Sequence, residues 1–131
     1  MKKILLIDDD EDDQFFFMDA IKTINHEYQC DNASNGKTAL EKLKIGTSLP
    51  DIIFLDLNMP FMNGIEFLLL IKKDETLCKI PIGIFTTSNS LNDKEMTKEF
   101  GANFFLSKPT NFHELCEKIS QILALNIGAN D

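Results

Sequence analysis

Apolar residues in this chain gather into short unbroken runs, and each run stops at polar or charged positions. Ile4-Leu5-Leu6-Ile7 stops at Asp8-Asp9, Ile52-Ile53-Phe54-Leu55 at Asp56, and Ile82-Gly83-Ile84-Phe85 at Thr86; Phe104-Phe105-Leu106 is followed by Ser107-Lys108-Pro109. Runs this short, without alternation and bounded by turn signals, predict strands buried on both faces, as in a parallel sheet. Elsewhere the apolar spacing is helical. Phe16, Phe17, Ala20, Ile21 and Ile24 form one stripe, and Phe112, Leu115, Cys116, Ile119, Ile122 and Leu123 another. The pattern predicts strands over 3–8, 28–33, 51–56, 81–86 and 102–106, and helices over 12–25, 36–45, 64–73, 92–100 and 110–125. Asn92 followed by Glu95 has the spacing of a capping box, Thr110 has the chemistry of an N-cap, and Pro50 and Pro81 precede strands, where a missing N–H is tolerated.

Strict alternation of strand and helix with short loops implies right-handed crossovers. The predicted fold class is α/β, a single doubly wound five-stranded parallel sheet with five helices, spanning 1–131 with its core at about 3–125. In such sheets the working groups collect at the carboxyl ends of the strands. Four strands here end next to a residue able to meet a cation, a phosphoryl group or a hydroxyl partner, which marks that edge as the site.

Length and composition narrow the classes. A chain of 131 residues with 44% hydrophobic and 26% charged positions makes one domain with an ordinary core. No stretch reaches the roughly 20 apolar residues of a membrane span, and Met1-Lys2-Lys3 leads into a strand rather than a signal peptide. Cys30, Cys78 and Cys116 are odd in number and lack metal-ligand spacing, so reduced thiols in a cytoplasmic protein are expected. A net charge of −8 argues against direct nucleic-acid binding. His26 and His113 read as surface residues, and Met59 and Met62 as packing in the loop after Asp56.

Much of the acidity lies between Asp8 and Asp13. Glu11, Asp12 and Asp13 read as helix-start acids favoured by the macrodipole. Asp8 and Asp9 read differently, because they stand at a strand end and neighbouring parallel strands are about 5 Å apart, so both can converge with Asp56. Oxygen-only ligation without His or Cys fits Mg²⁺, or Mn²⁺, rather than zinc. A carboxylate beside such an ion can act as a nucleophile toward phosphorus, with Lys108 as the ammonium and Thr86 as a hydroxyl donor to the phosphoryl oxygens.

Taken in order, Ile7-Asp8-Asp9, Leu55-Asp56-Leu57-Asn58-Met59-Pro60 through Gly64, Phe85-Thr86, Gly101-Ala102 and Ser107-Lys108-Pro109 resemble the receiver domain of two-component response regulators, over Lys3 to about Leu125. The resemblance implies the flavodoxin-like receiver fold. It implies Asp56 as phosphoacceptor, Asp9 as a direct metal ligand, Asp8 holding the ion partly through water, and the Asn58 backbone carbonyl as a further ligand. Thr86 is then the switch hydroxyl, Lys108 the phosphate partner, and a cis bond is expected before Pro109. The phosphodonor is a sensor histidine kinase or a phosphotransfer protein. Many receivers place Tyr three residues before the lysine. Here Phe105 stands there, either a switch that moves by burial or fixed core. Asn58 and Ser88 occupy the positions that flank the attacking water.

With only 126–131 after the last helix, no output domain is expected, and the chain is similar to stand-alone regulators of the chemotaxis and phytochrome-partner kinds. Such a protein is no enzyme. It signals to an unidentified downstream protein through the face of 92–125, which also leaves room for a homodimer; a phosphorelay intermediate or phosphate sink is the alternative. Phe15 shares its helical face with Asp19 and Lys22 and is read as a kinase-docking residue, whereas Leu69 and Leu70 are read as isolated exposed residues. Other classes fit less well. A haloacid-dehalogenase-type phosphatase wants a second Asp where Asn58 stands, a flavodoxin wants a phosphate loop where Asp8 to Asp13 would repel the phosphate, and a scaffold pseudo-receiver has no need of Asp9, Asp56, Thr86 and Lys108 together.

Overall fold

The protein, seen in a computed structural model that describes residues 2–45, 48–59 and 62–128, alternates strand and helix from end to end. The strands are β1 (Lys3–Ile7), β2 (Gln29–Ala33), β3 (Ile52–Leu55), β4 (Ile82–Thr86) and β5 (Phe105–Ser107), joined into one parallel sheet in the order β2-β1-β3-β4-β5. The helices are α1 (Glu11–Ile24), α2 (Gly36–Ile45), α3 (Gly64–Lys73), α4 (Leu91–Glu99) and α5 (Phe112–Ile127), with a 3-10 turn at Leu77–Lys79 before β4. The predicted doubly wound α/β sheet is therefore observed.

Successive strand residues point to opposite faces. Leu5, Ile7, Ile53, Leu55, Ile82 and Ile84 enter one layer, where Ala39 and Leu43 of α2 and Phe67, Leu68 and Ile71 of α3 cover them. Ile4, Leu6, Ile52, Phe54, Phe85 and Leu106 enter the other, covered by Phe17, Ala20 and Ile21 of α1 and Leu115, Ile119 and Leu123 of α5. This two-sided burial is why β1, β3 and β4 read as unbroken apolar runs. Phe17, Phe54 and Phe85 meet edge-on or tilted, with ring centroids 4.9 to 6.2 Å apart. By contrast α4 buries only Thr97, whose hydroxyl donates to the Asp93 carbonyl. It is the helix least tied to the core by apolar packing.

Most bounds shift by one or two residues, and three of the differences have a visible local cause. β5 begins at Phe105 rather than at 102: Gly101 takes φ +100° and the Asn103 side-chain oxygen accepts the Ile82 N–H, doing a ladder carbonyl's work from outside the strand. The cap of α4 is Ser90, not Asn92; its hydroxyl accepts the Asp93 N–H at 3.2 Å and starts the helix one residue earlier. In α5 Asn111 replaces Thr110, accepting the Glu114 N–H at 3.0 Å.

Candidate functional site

The sheet order reverses between β1 and β3, and the cleft over the strand ends opens there, as in other doubly wound sheets. The ladder continues past the strands to set the polar residues in place. Asp8 N–H donates to the Ala33 carbonyl, Asp56 N–H to the Ile7 carbonyl at 2.9 Å, and Lys108 N–H to the Thr86 carbonyl at 2.7 Å. Asp8, Asp56, Thr86 and Lys108 thus gather at the carboxyl ends of the neighbouring strands β1, β3, β4 and β5. Asp9, Asp13, Asn58 and Thr87 line the same cleft.

Burial separates these acids. Asp8 and Thr86 are fully buried and Asp56 nearly so, whereas Asp9 and Asn58 face solvent. Carboxylate oxygens of Asp8, Asp9 and Asp56 lie within 4.8 Å of one another. Lys108 Nζ sits among them, 2.7 Å from Asp8 Oδ2, 2.6 Å from Asp13 Oδ2 and 3.5 Å from Asp56 Oδ2. Nζ donates a hydrogen bond to Asp13. The buried Asp8 Oδ2 has the same ammonium as its close ion-pair partner.

Desolvation dominates the titration of both buried acids. Burial pushes the Asp8 carboxyl above its ordinary value, against the opposing pull of Lys108 and the Asp10 N–H. Burial also raises Asp56, although Lys108, the Asn58 N–H and the Thr86 hydroxyl favour its charged form. For Lys108 burial alone would lower the pKa, but its contacts with Asp13, Asp8 and Asp56 outweigh burial and hold the ammonium charged.

Three converging carboxylates, two of them buried and with no His or Cys among them, fit a hard divalent cation. Asp8, Asp9 and Asp56 are the residues able to hold it, and the Asn58 carbonyl belongs to the loop beside them.

Asp8, Asp9, Asp56, Asn58, Thr86 and Lys108 lie at the cleft, whereas the Ser88 hydroxyl donates to Asp93 Oδ2 of α4 at 2.6 Å and Phe105 stands apart. Phe105 is half-buried toward α4, its ring under the Lys94 ammonium at 5.8 Å and packed against the layer of α2 and α3. Asp13 is the residue that sequence reasoning missed: read as a helix-start acid, it also holds Lys108. Its only signal was its place in the first turn of α1, just after the strand-end acids. The peptide before Pro109 is trans, contrary to expectation; trans is the default of an X–Pro bond by about 0.5–1 kcal/mol. Pro60 lies outside the described residues.

The remaining singled-out residues stay away from the cleft. Phe15 is 74% exposed, while its neighbour Phe16 packs edge-on against Phe112. Leu69 and Leu70 are exposed, as are His26 and His113, the latter 3.4 Å from Glu117. The three cysteines are free, and burial pushes the Cys30 thiol up to about 12, which makes it a poor nucleophile. Among the described residues no helix is long and apolar enough to cross a membrane.

The family described as response regulator receiver domain matches residues 4–120. The probable methanogenesis regulatory protein FilR2 of Methanothrix harundinacea is 32% identical over 97% of this chain and 84% of its own length. The phosphorylated cyanobacterial phytochrome response regulator RcpA aligns with a TM-score of 0.87 at 28% identity, covering 96% of this chain and 94% of that one. The Mn²⁺-bound form of response regulator Rcp1 aligns with a TM-score of 0.83 at 29% identity, over 95% of this chain and 93% of that one.

Proposed function

The chain belongs to the response regulator receiver domain family, whose usual work is phosphorylation-dependent signalling, and from that premise we propose that it accepts a phosphoryl group on Asp56. Receiver domains are phosphorylated by histidine kinases and bind Mg²⁺ or Mn²⁺ in an acidic pocket. In this chain Asp8, Asp9, Asp56 and the Asn58 carbonyl would hold Mg²⁺, which offsets charge on the transferring phosphoryl group. One observation carries the reading: the nearly buried Asp56 carboxylate lies within 4.8 Å of Asp8 and Asp9 and 3.5 Å from the Lys108 ammonium.

In the proposed transfer an Asp56 oxygen attacks phosphorus as the bond to a kinase or phosphotransfer-protein histidine breaks. The departing imidazole keeps the electron pair. Lys108 lies beside Asp56 and pairs with the phosphoryl oxygens, and the buried Thr86 hydroxyl is placed to turn toward them. Asn58, uncharged and at the rim of the cleft, would flank the path of a hydrolytic water, while Ser88 on the expected other side is engaged by Asp93.

The signal would leave through residues 92–125, where α4 is the least buried helix and Phe105 of β5 turns its ring toward it. A helix held mainly by polar bonds shifts at low cost. The downstream partner is then a protein in the cytoplasm, or a second copy of this chain on the same face; nothing in the acidic cleft suits nucleic acid. Service as a phosphorelay intermediate or phosphate sink uses the same chemistry with no output partner.

Intact mass after incubation with acetyl phosphate tests the reading. A single phosphoryl adduct that requires Mg²⁺ and disappears in Asp56→Asn is expected. A folded protein that takes up no phosphoryl group under any condition would overturn it in favour of a scaffold.

A further inference from the structure

Lys108 is shared unevenly. Its ammonium is 2.6 Å from Asp13 and 2.7 Å from Asp8, but 3.5 Å from Asp56, which is long for a hydrogen bond. The Lys108 side chain is only 10% exposed and so must keep partners, whereas that of Asp13 is 36% exposed and can turn to water. Asp13 is also held in place independently of the lysine: it lies in the first turn of α1, and its N–H donates to the capping Asp10 side chain at 3.0 Å. Its main chain is thus fixed, and its carboxylate, backed by solvent, reaches across to the end of β5.

Given Asp56 as phosphoacceptor, on which this rests, we propose that Asp13 is a positioning residue that holds the Lys108 ammonium in the resting protein in competition with the phosphoryl oxygens. A phosphoryl group on Asp56 brings new anionic oxygens to the side of Nζ where the contact is now long. Lys108 has three N–H donors, and Asp8 and Asp13 engage it at short range. When the phosphoryl group takes the ammonium, Asp13 returns to solvent and repels the new anion beside it. The exchange weakens the adduct relative to a site without Asp13, and it carries the state of Asp56 to the first turn of α1.

Beryllofluoride, which adds to a carboxylate as a phosphoryl mimic, reads the competition without turnover. Its affinity for the full chain is measured by calorimetry in saturating Mg²⁺, for wild type and for Asp13→Asn, Asp13→Glu, Asp12→Asn and Asp56→Asn, with circular dichroism to establish folding. Asp12 lines the cleft at the rim and is exposed, so its substitution removes the same charge without touching Lys108. Asp13→Asn is expected to bind roughly tenfold tighter, equivalent to about 1.4 kcal/mol, and Asp12→Asn within about threefold of wild type. Asp13→Glu, which restores the carboxylate, should return toward the wild-type value. An Asp13→Asn gain no larger than that of Asp12→Asn, or a loss, overturns the competition while leaving Asp56 as acceptor. Wild type that fails to bind, or Asp56→Asn that binds equally well, overturns the acceptor reading and the competition with it.

Discussion

Phe104 lies with its ring in the space that a Cβ on Gly83 would need, so the two residues share one slot between β4 and the start of β5. The ring reaches across to Phe54, centroid to centroid 4.9 Å, and joins the layer under α1 and α5. Gly83 weakens the strand as a residue but permits this packing. Gly83→Ala is therefore expected to destabilise the fold by about 1–3 kcal/mol through overpacking. Combined with Phe104→Ala the methyl group finds room, and the double variant should be more stable than the sum of the single losses. Denaturant unfolding of the four proteins checks this; simple additivity would show that the contact is not the cause.

The buried Asp56 carboxylate makes a second prediction, about pH. Its folded pKa is raised above 3.8 chiefly by burial, so the folded state favours the protonated acid. The stability from this group is complete below that value and is lost as pH rises through the folded pKa. Lys108 adds no slope in this range, because its raised pKa keeps its contribution until far above neutrality. In EDTA, Asp56→Asn should melt about 3–6 °C above wild type at pH 7, with the gap closing toward pH 4. Melting curves across that range, read with and without Mg²⁺, decide it. Mg²⁺ should raise wild type much more than the variant.

Removing Lys108 should do the opposite. Its ammonium is the only cation within ion-pairing distance of Asp8 and Asp56 among the described residues. Breaking a buried pair from one side costs about 3–5 kcal/mol because the remaining charge is left without a partner. Lys108→Ala in EDTA should lose stability near the lower end of that range, since Asp13 is free to turn outward. Millimolar Mg²⁺ should recover much of the loss, and the variant should bind Mg²⁺ more tightly than wild type. A loss that Mg²⁺ leaves untouched would mean that the aliphatic stem of Lys108, not its charge, supports the site.

These predictions draw on residues of unequal visibility in the sequence. Asp8, Asp9, Asp56, Thr86 and Lys108 were legible because each follows a two-sided apolar run, and strand ends in a parallel sheet are set side by side by the ladder itself. Asp13 was not, because the reach of a helix-start acid to a lysine 95 positions away depends on how α1 lies across the sheet. The caps at Ser90 and Asn111 were missed by one or two residues, since neighbouring polar residues compete for one role and only backbone geometry chooses between them. Phe104 and Gly83 read separately as an apolar residue and a weak point in a strand. Their shared slot exists only in the folded sheet.

Gly64 ties the fold to the site most directly. It opens α3, its N–H donates to the Leu57 carbonyl at 2.9 Å, and a Cβ there would run into the Asp56 carbonyl and the Leu57 α-carbon. Its backbone conformation is ordinary, so the demand is for space alone. An alanine must push the segment after β3 outward, and that segment carries both the Asp56 main chain and the Asn58 carbonyl. Gly64→Ala should cost about 1–3 kcal/mol of stability and weaken Mg²⁺ binding roughly tenfold. Gly128→Ala is the matching control: it closes α5 at φ +65° with nothing within 4 Å of the added carbon, so it strains the backbone far from the cleft. It should lose about 1 kcal/mol with Mg²⁺ affinity unchanged. Calorimetric titration of both variants separates the cases, because equal Mg²⁺ affinities in Gly64→Ala and wild type would show that the loop after Asp56 tolerates displacement without disturbing the carboxylates.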